Sequence, residues 1–214
     1  MNSKHKIVII GNGMVGHRFI EELVDKDFRD NFSITTFCEE KNLAYDRVSL
    51  STYFNGKTKE DLSLMPEGYY EENGVEIFIG DKAESIDRKA KVVKSAGGRE
   101  VHYDTLVLAT GSYPFVPPIQ GQKQYYFEGY RAFECGDHKQ HIHVYRTIDD
   151  LDAIKASASK SEIGTVIGGG LLGLECANAL KNLGLKTHVV DRGPSLMGVQ
   201  IDAEGGIVLR AKIE

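Results

Sequence analysis

Apolar positions in this chain follow two rhythms, short continuous runs and helical spacings, and they alternate along most of its length. Lys6-Ile7-Val8-Ile9-Ile10 is a run of mainly β-branched residues, the length of a buried strand. Phe19-Ile20-Glu21-Glu22-Leu23-Val24 follows with its apolar residues at helical spacing. Phe32-Ser33-Ile34-Thr35-Thr36-Phe37-Cys38 reads as a second strand. Residues 58–73 predict helix in two pieces, broken at Pro66, and 75–79 predicts the third strand of a parallel sheet.

The rhythm then changes. Residues 83–87, 91–95 and 100–103 are short and alternating, separated by turn sequences, which predicts a small antiparallel β-meander inserted into an α/β frame. Residues 103–111 return to a buried apolar strand that ends in Ala109-Thr110-Gly111. Residues 112–118 hold three of the five prolines, so they predict an extended crossing out of the first domain. A solvent-exposed insertion loop is expected over 120–143. Beyond it the pattern predicts a helix over 149–159 with Thr147 as its N-cap, a strand ending at Ile167, a helix over 174–183, a strand over 186–191 and an amphipathic helix over 202–214. The fold class expected is α/β, two Rossmann-like dinucleotide-binding folds, with the β-meander inserted in the first and the second truncated. Residues 1–119 would form the first domain, 120–147 a connection with its insertion, and 148–214 the first part of the second.

Glycines give this pattern chemical meaning. The first strand runs into Gly11-Asn12-Gly13-Met14-Val15-Gly16, a Gly-x-Gly-x-x-Gly turn that opens a helix. In such a turn the first glycine permits the tight bend and the second lets backbone approach a pyrophosphate. The third lets helix and strand pack closely. The helix N-terminus adds unsatisfied N–H groups and partial positive charge. Glu39 lies 23 residues past Gly16, at a strand end, where an acid can accept from a ribose hydroxyl; it is preferred over its neighbour Glu40. Arg47 either neutralises pyrophosphate or pairs with Asp46. A second strand-to-glycine turn supplies Gly168, Gly170 and Gly173 in the same three roles. Asp191 falls 18 residues after Gly173, and its carboxylate would accept from a 2′-hydroxyl and repel a 2′-phosphate, which favours NADH over NADPH. Two such units imply two dinucleotides, and hydride transfer between nicotinamide and flavin in which the cofactors carry the chemistry. No catalytic acid, base or nucleophile is assembled by spacing.

Composition narrows the classes. Of 214 residues, 41% are hydrophobic and 27% charged, with a net charge of −5, and no apolar run approaches the ~20 residues of a membrane span. The acidic balance and the lack of a basic cluster argue against nucleic acid. Three scattered cysteines make no disulfide framework, no Cys-x-x-Cys pair and no four-cysteine cluster, and a reducing, cytoplasmic compartment is expected. Cys135, His138, His141 and His143 lie close together, but their spacing matches no common zinc pattern, and no metal site is expected.

The combination resembles the FAD- and NAD-dependent pyridine nucleotide-disulfide oxidoreductases. The residues that carry it are Gly11, Gly13 and Gly16; Tyr45-Asp46-Arg47 with Leu50-Ser51; Ala109-Thr110-Gly111-Ser112; Tyr145-Arg146-Thr147; and the second glycine turn with Glu175. Residues 9–20, Phe37-Cys38-Glu39-Glu40, Ala44-Tyr45-Asp46-Arg47-Val48 and residues 168–175 are further similar to the large subunits of bacterial NAD(P)H-dependent nitrite reductases. The resemblance implies FAD contacts from Gly11, Asn12, Gly13, Met14, Val15, Gly16, Glu39, Glu40, Arg47, Ser51, Ala109, Thr110, Gly111 and Arg146. It implies NAD contacts from Gly168, Gly170, Leu171, Leu172, Gly173 and Asp191. Glu175 is either near the nicotinamide or a first-turn acid favoured by the helix dipole. The redox Cys-x4-Cys of many relatives is absent, which excludes a dithiol relay, and Thr52 stands where ferredoxin reductases carry a lysine.

The implied activity is an electron-input module of an assimilatory or detoxifying nitrite reductase. Iron–sulfur and sirohaem centres would lie beyond residue 214, in the remainder of the subunit. A rubredoxin or ferredoxin reductase, or a non-catalytic flavoprotein fragment, is the alternative. Expected partners are the nicotinamide nucleotide and the remainder of the subunit or a small electron carrier. A homodimer and a small subunit also fit the resemblance.

Overall fold

A computed structural model describes residues 4–26, 31–116, 123–127, 130–134 and 142–214. These fall into two compact units: one takes 1–47 and 58–113, the other 48–57 and 114–214.

In the first unit four strands make a parallel sheet: β1 (His5–Ile10), β2 (Phe32–Cys38), β3 (Val75–Ile79) and β7 (Thr105–Leu108), in the order β3-β2-β1-β7. The chain steps outward from β1 to β2 and β3, then returns to the far side of β1. That reversal makes the carboxyl ends of β1 and β7 a topological switch point, the usual ligand position in such sheets. Strand alternation divides the core in two. Ile7 and Ile9 of β1 face Ile20 and Val24 of α1 (Met14–Asp25), with Tyr70 of α3 (Tyr69–Glu72), Ala44 and Met65. Val8 faces the other way, with Phe37 and Val93. The second face is covered by the predicted meander, an antiparallel sheet of β4 (Ala83–Asp87), β5 (Val92–Ser95) and β6 (Glu100–His102). Asp81 fixes the sharp exit from β3 into this meander. Its buried carboxylate accepts from Ser95 Oγ (2.8 Å), the Gly97 N–H (2.7 Å) and Arg99 Nη1 (2.6 Å).

The predicted break at Pro66 separates two single-turn helices, α2 (Lys59–Leu62) and α3. Thr58 and Asp61 form a capping box on α2, which the sequence reading did not single out.

In the second unit α4 (Ile148–Ala158) begins at Thr147, the predicted N-cap, which forms a capping box with Asp150. β10 (Ile163–Ile167) pairs in parallel with β11 (Lys186–Val190), with α5 (Leu171–Asn182) between them in the chain. The 3-10 helix Leu50–Asn55 belongs to this unit. Tyr53 Oη donates to Asp152 of α4 (2.6 Å), Lys155 Nζ lies 3.7 Å from the centre of the Tyr53 ring, and Asn182 Nδ2 donates to Asn55 (3.0 Å).

Three expectations need correction. Both glycine-turn helices start earlier than the apolar spacing indicated, at Met14 and Leu171, because each turn's second glycine is itself the N-cap. Within 120–143 an antiparallel pair, β8 (Lys123–Phe127) and β9 (Tyr130–Glu134), stands where a loop was expected. Aromatic runs on either side of Glu-Gly carry high strand propensity, and polarity masked that signal. The last helix, α6 (Ala203–Ile213), is not amphipathic: Ile207, Val208 and Ile213 are exposed, and Gly206 alone among its described residues is buried.

Candidate functional site: two glycine turns

The two turns share one geometry. Gly11 has φ +108° and Gly168 φ +118°, the left-handed conformation that favours glycine. The Gly11 N–H donates to Phe37 of β2 (3.0 Å) and the Gly168 N–H to Val190 of β11 (2.8 Å), so each turn is tied to the neighbouring strand. A Cβ on Gly16 or on Gly173 would lie 2.0 Å from the carbonyl oxygen of Gly11 or Gly168 respectively. Both third glycines are therefore fixed by close helix–turn packing.

The second glycines differ in kind. Gly13 has φ −92° and Gly170 φ −82°, values open to any residue. A Cβ on Gly13 would meet nothing nearer than Arg47 Nε at 4.0 Å, and one on Gly170 nothing within 4 Å. Neither backbone strain nor packing within the chain calls for glycine there. What a Cβ would occupy is the space in front of an exposed helix N-terminus, the place a pyrophosphate takes. The residues present fit a dinucleotide in each turn.

Around the first turn, Ala109 closes the switch point: its N–H donates to Ile10 (2.8 Å), and its carbonyl would clash with any Cβ on Gly11. Thr110 and Gly111 continue the chain at that edge, exposed, with Gly111 at φ +67°. Met14 is half-buried and Val15 exposed on the first turn of α1. Glu39 is exposed at the end of β2, where its carboxylate accepts from Tyr113 Oη (2.8 Å) and lies 4.0 Å from Lys82 Nζ. Glu40 is half-buried and ion-paired with Arg47, and it also accepts from Tyr45 Oη (2.7 Å). The Arg47 guanidinium stacks over the Tyr45 ring, 4.8 Å from its centre. An ion pair with Glu40 is thus a role of Arg47 that the sequence reading did not offer.

Asn12 is buried. Its Oδ1 accepts from the Ala44 N–H (3.1 Å), and its Nδ2 donates to Tyr70 Oη (2.8 Å). Tyr70 Oη in turn meets His17 Nδ1 at 2.9 Å. Sequence reading missed His17 and Tyr70, because the contact joins positions 53 residues apart and neither has a local signature.

At the second turn, Leu171 and Leu172 are exposed on the first turn of α5. Asp191 follows β11 and braces this turn: one carboxylate oxygen accepts from the Gly169 N–H, and the other from the Gly193 N–H (2.5 Å). Donation from Gly169, then from Gly193, holds the Asp191 carboxyl below the usual carboxylate range. A side chain at position 169 would meet Leu196 at 2.6 Å, so the middle residue is glycine here and Asn12 there. Because α5 starts at Leu171, Glu175 lies beyond its first turn, and the helix-dipole explanation for that acid falls. In the same unit Ser51 is half-buried in the 3-10 helix and Arg146 directly precedes the α4 cap. Tyr145 stacks on Phe54 at 6.2 Å, and burial pushes its phenol up to about 12.

A hollow of about 560 Å³ between sheet and meander, lined by Lys6, Thr35, Glu76, Arg99 and His102, holds none of the expected site residues. Among the described residues no three His, Cys, Asp or Glu side chains form a metal-binding group. Cys135, His138 and His141 lie outside the described residues, and His143 bonds Ser157 Oγ at 2.7 Å. No helix among the described residues is long and apolar enough to cross a membrane.

A family model, pyridine nucleotide-disulphide oxidoreductase, matches residues 5–213. The chain belongs to this family. It is 53% identical to the nitrite reductase (NADH) large subunit of Escherichia coli strain K12, over 99% of this chain and 23% of that protein. It is 50% identical to the nitrite reductase [NAD(P)H] large subunit of Klebsiella oxytoca, over 99% of this chain and 20% of that one. The chain thus spans between a fifth and a quarter of the length of these relatives. Among solved structures it is similar to NADH:rubredoxin oxidoreductase from Clostridium acetobutylicum, with a TM-score of 0.78 and 25% identity. That match covers 99% of this chain and 50% of the other. The α/β fold with a parallel and a small antiparallel sheet is the fold of this family.

Proposed function

We propose that these residues form the FAD- and NADH-binding electron-input module of a nitrite reductase large subunit, serving nitrate assimilation or nitrite detoxification. The observation that carries this reading is the pair of second glycines, Gly13 and Gly170, whose backbone does not need glycine and whose open side faces a helix N-terminus. Residues 1–119 are the FAD part, 120–147 the connection and 148–214 the NAD part.

In this reading the N–H groups at the start of α1 and α5 receive the two pyrophosphates, and Gly13 and Gly170 keep the approach clear. Glu39 orients a ribose by accepting from its hydroxyls, with Glu40 and Arg47 shaping the pocket wall beside it. Ala109, Thr110 and Gly111 border the switch point, and Ser51 and Arg146 are the further FAD contacts that the family resemblance implies. Gly168, Leu171, Leu172 and Gly173 form the nicotinamide-nucleotide turn, Asp191 disfavours a 2′-phosphate, and Glu175 lies toward the nicotinamide. A bound flavin supplies the conversion of a two-electron hydride into single electrons. These pass to iron–sulfur and sirohaem centres in the rest of the subunit. Partners are NADH, that remainder, a second copy and a small subunit, in the cytoplasm.

The test uses the polypeptide from its complete reading frame. Gly13→Val should abolish FAD binding with NADH binding retained, and Gly170→Val should do the reverse. A folded protein that stays flavin-free in excess FAD overturns the reading.

A further inference from the structure

The buried contacts behind the first glycine turn form a chain of hydrogen bonds with a direction. The Ala44 N–H donates to Asn12 Oδ1, which fixes the amide so that Nδ2 faces and donates to Tyr70 Oη. The Tyr70 oxygen already accepts there, so its own proton goes to His17 Nδ1 at 2.9 Å. With Nδ1 engaged as the acceptor, the neutral imidazole carries its hydrogen on Nε2. The Leu64 N–H donates to the Ala44 carbonyl at 3.2 Å, which fixes the segment that presents the Ala44 N–H. One tautomer satisfies these contacts: neutral His17 with its hydrogen on Nε2.

This chain of bonds joins the residue between Gly11 and Gly13 to α1, to α3, and to the antiparallel crossing of residues 44–46 with 62–64. It anchors the Asn12 side chain at both ends of its amide, and so braces the peptide groups on either side of Asn12. Those peptides border the open space at Gly13. We propose that Tyr70 and His17 are positioning residues for the bound flavin nucleotide, holding the glycine turn in its receptive form through Asn12, and that they do so only while His17 is neutral. A proton on Nδ1 would turn the acceptor for Tyr70 into a donor. Tyr70 Oη would then face two donors, Asn12 and His17, with its own proton unplaced in a buried site.

The surroundings favour the neutral ring. Burial, the largest influence, lowers the His17 pKa from 6.5, and Arg18 adds to this, while Glu21 and the Leu64 bond oppose it. From α3, Tyr69 and Tyr70 meet the imidazole edge-on at 5.5 and 5.9 Å. Burial pushes the Tyr70 phenol up to about 12 and the thiol of Cys38, its neighbour from β2, up to about 11, so neither ionises near neutrality.

The inference rests on the FAD reading above, and its test separates the two. FAD affinity of the complete polypeptide is measured by flavin fluorescence from about pH 5 to about pH 8, with circular dichroism recorded on the same samples. Neither the flavin nor its pyrophosphate titrates in that window. The wild-type Kd should be constant above about pH 6.5 and weaken as pH falls through the lowered His17 pKa, by up to about tenfold per unit, with the dichroism unchanged. His17→Asn keeps an acceptor near the Nδ1 position that cannot be protonated, and its Kd should be independent of pH. Tyr70→Phe should weaken binding by about tenfold at neutral pH and flatten the profile. A flat wild-type profile overturns the inference without recourse to any variant that fails to fold. So does an unchanged acid limb in His17→Asn. Failure of the wild-type protein to bind FAD at any pH overturns the flavin reading itself.

Discussion

The carbonyl oxygen of Gly11 lies 2.0 Å from where Gly16 would carry a Cβ, while Gly13 between them faces open space. Two glycines three residues apart therefore answer to different constraints. Gly16→Ala forces α1 away from the turn and should destabilise the protein by about 3 kcal/mol in urea unfolding. Gly13→Ala should change stability by less than about 0.5 kcal/mol. Yet it should weaken FAD binding far more than that. Equal stability losses for the two would contradict the assignment.

That contrast also shows what the sequence could and could not disclose. The strand-to-glycine pattern predicted both turns, the acids after β2 and β11, and a parallel sheet, because those features are local and periodic. The capping at Thr147 was legible for the same reason. The roles of Asn12, His17 and Tyr70 were not, since a hydrogen bond between residues 53 or 58 apart leaves no mark on spacing. The strand pair at 123–134 was hidden because its aromatic residues are interleaved with polar ones. Arg47 was readable as a cation near the site, but its ion pair with Glu40 required the fold.

Asp81 anchors the meander to the parallel sheet, and its removal leaves the Ser95 hydroxyl and the Gly97 N–H without their acceptor. Asp81→Ala should cost about 2 kcal/mol. Burial alone would raise this carboxyl, but the bonds from Gly97, Ser95 and Arg99 outweigh it and hold its pKa below 3.8. The folded pKa is depressed, so the stabilisation is fully present above the unfolded value and is lost as pH falls through the folded one. The stability gap between wild type and Asp81→Asn should be constant above about pH 5 and shrink below about pH 4. A gap that widens on acidification would refute this.

The Asp191 carboxylate braces the Gly169 and Gly193 N–H groups. In the proposed reading its charge also disfavours a 2′-phosphate on the bound nucleotide. Asp191→Ala should weaken NADH binding by about tenfold while leaving NADPH binding unchanged or improved. Titration of both nucleotides against the variant checks this. Parallel losses for the two would reduce Asp191 to a structural brace.

Within the second unit, Lys155 lies over the Tyr53 ring and donates to the Tyr53 carbonyl at 2.9 Å. It holds a segment, 48–57, that the chain inserts between two stretches of the first unit's sequence. Lys155→Ala should cost about 1.5 kcal/mol and raise proteolysis within 48–57 specifically. Lys155→Arg should restore most of the loss. Cleavage rates that do not respond to either change would show that the segment is held by other contacts.

Hydride transfer in the proposed electron-input module needs both dinucleotides bound at once. It is tested most directly by anaerobic addition of NADH to the complete polypeptide carrying FAD, with the visible absorbance of the oxidised flavin followed in time. NADH should bleach the flavin rapidly and NADPH more slowly, and NADH should leave Gly170→Val oxidised with its FAD intact. Bound wild-type flavin that stays oxidised in excess NADH would contradict the proposal.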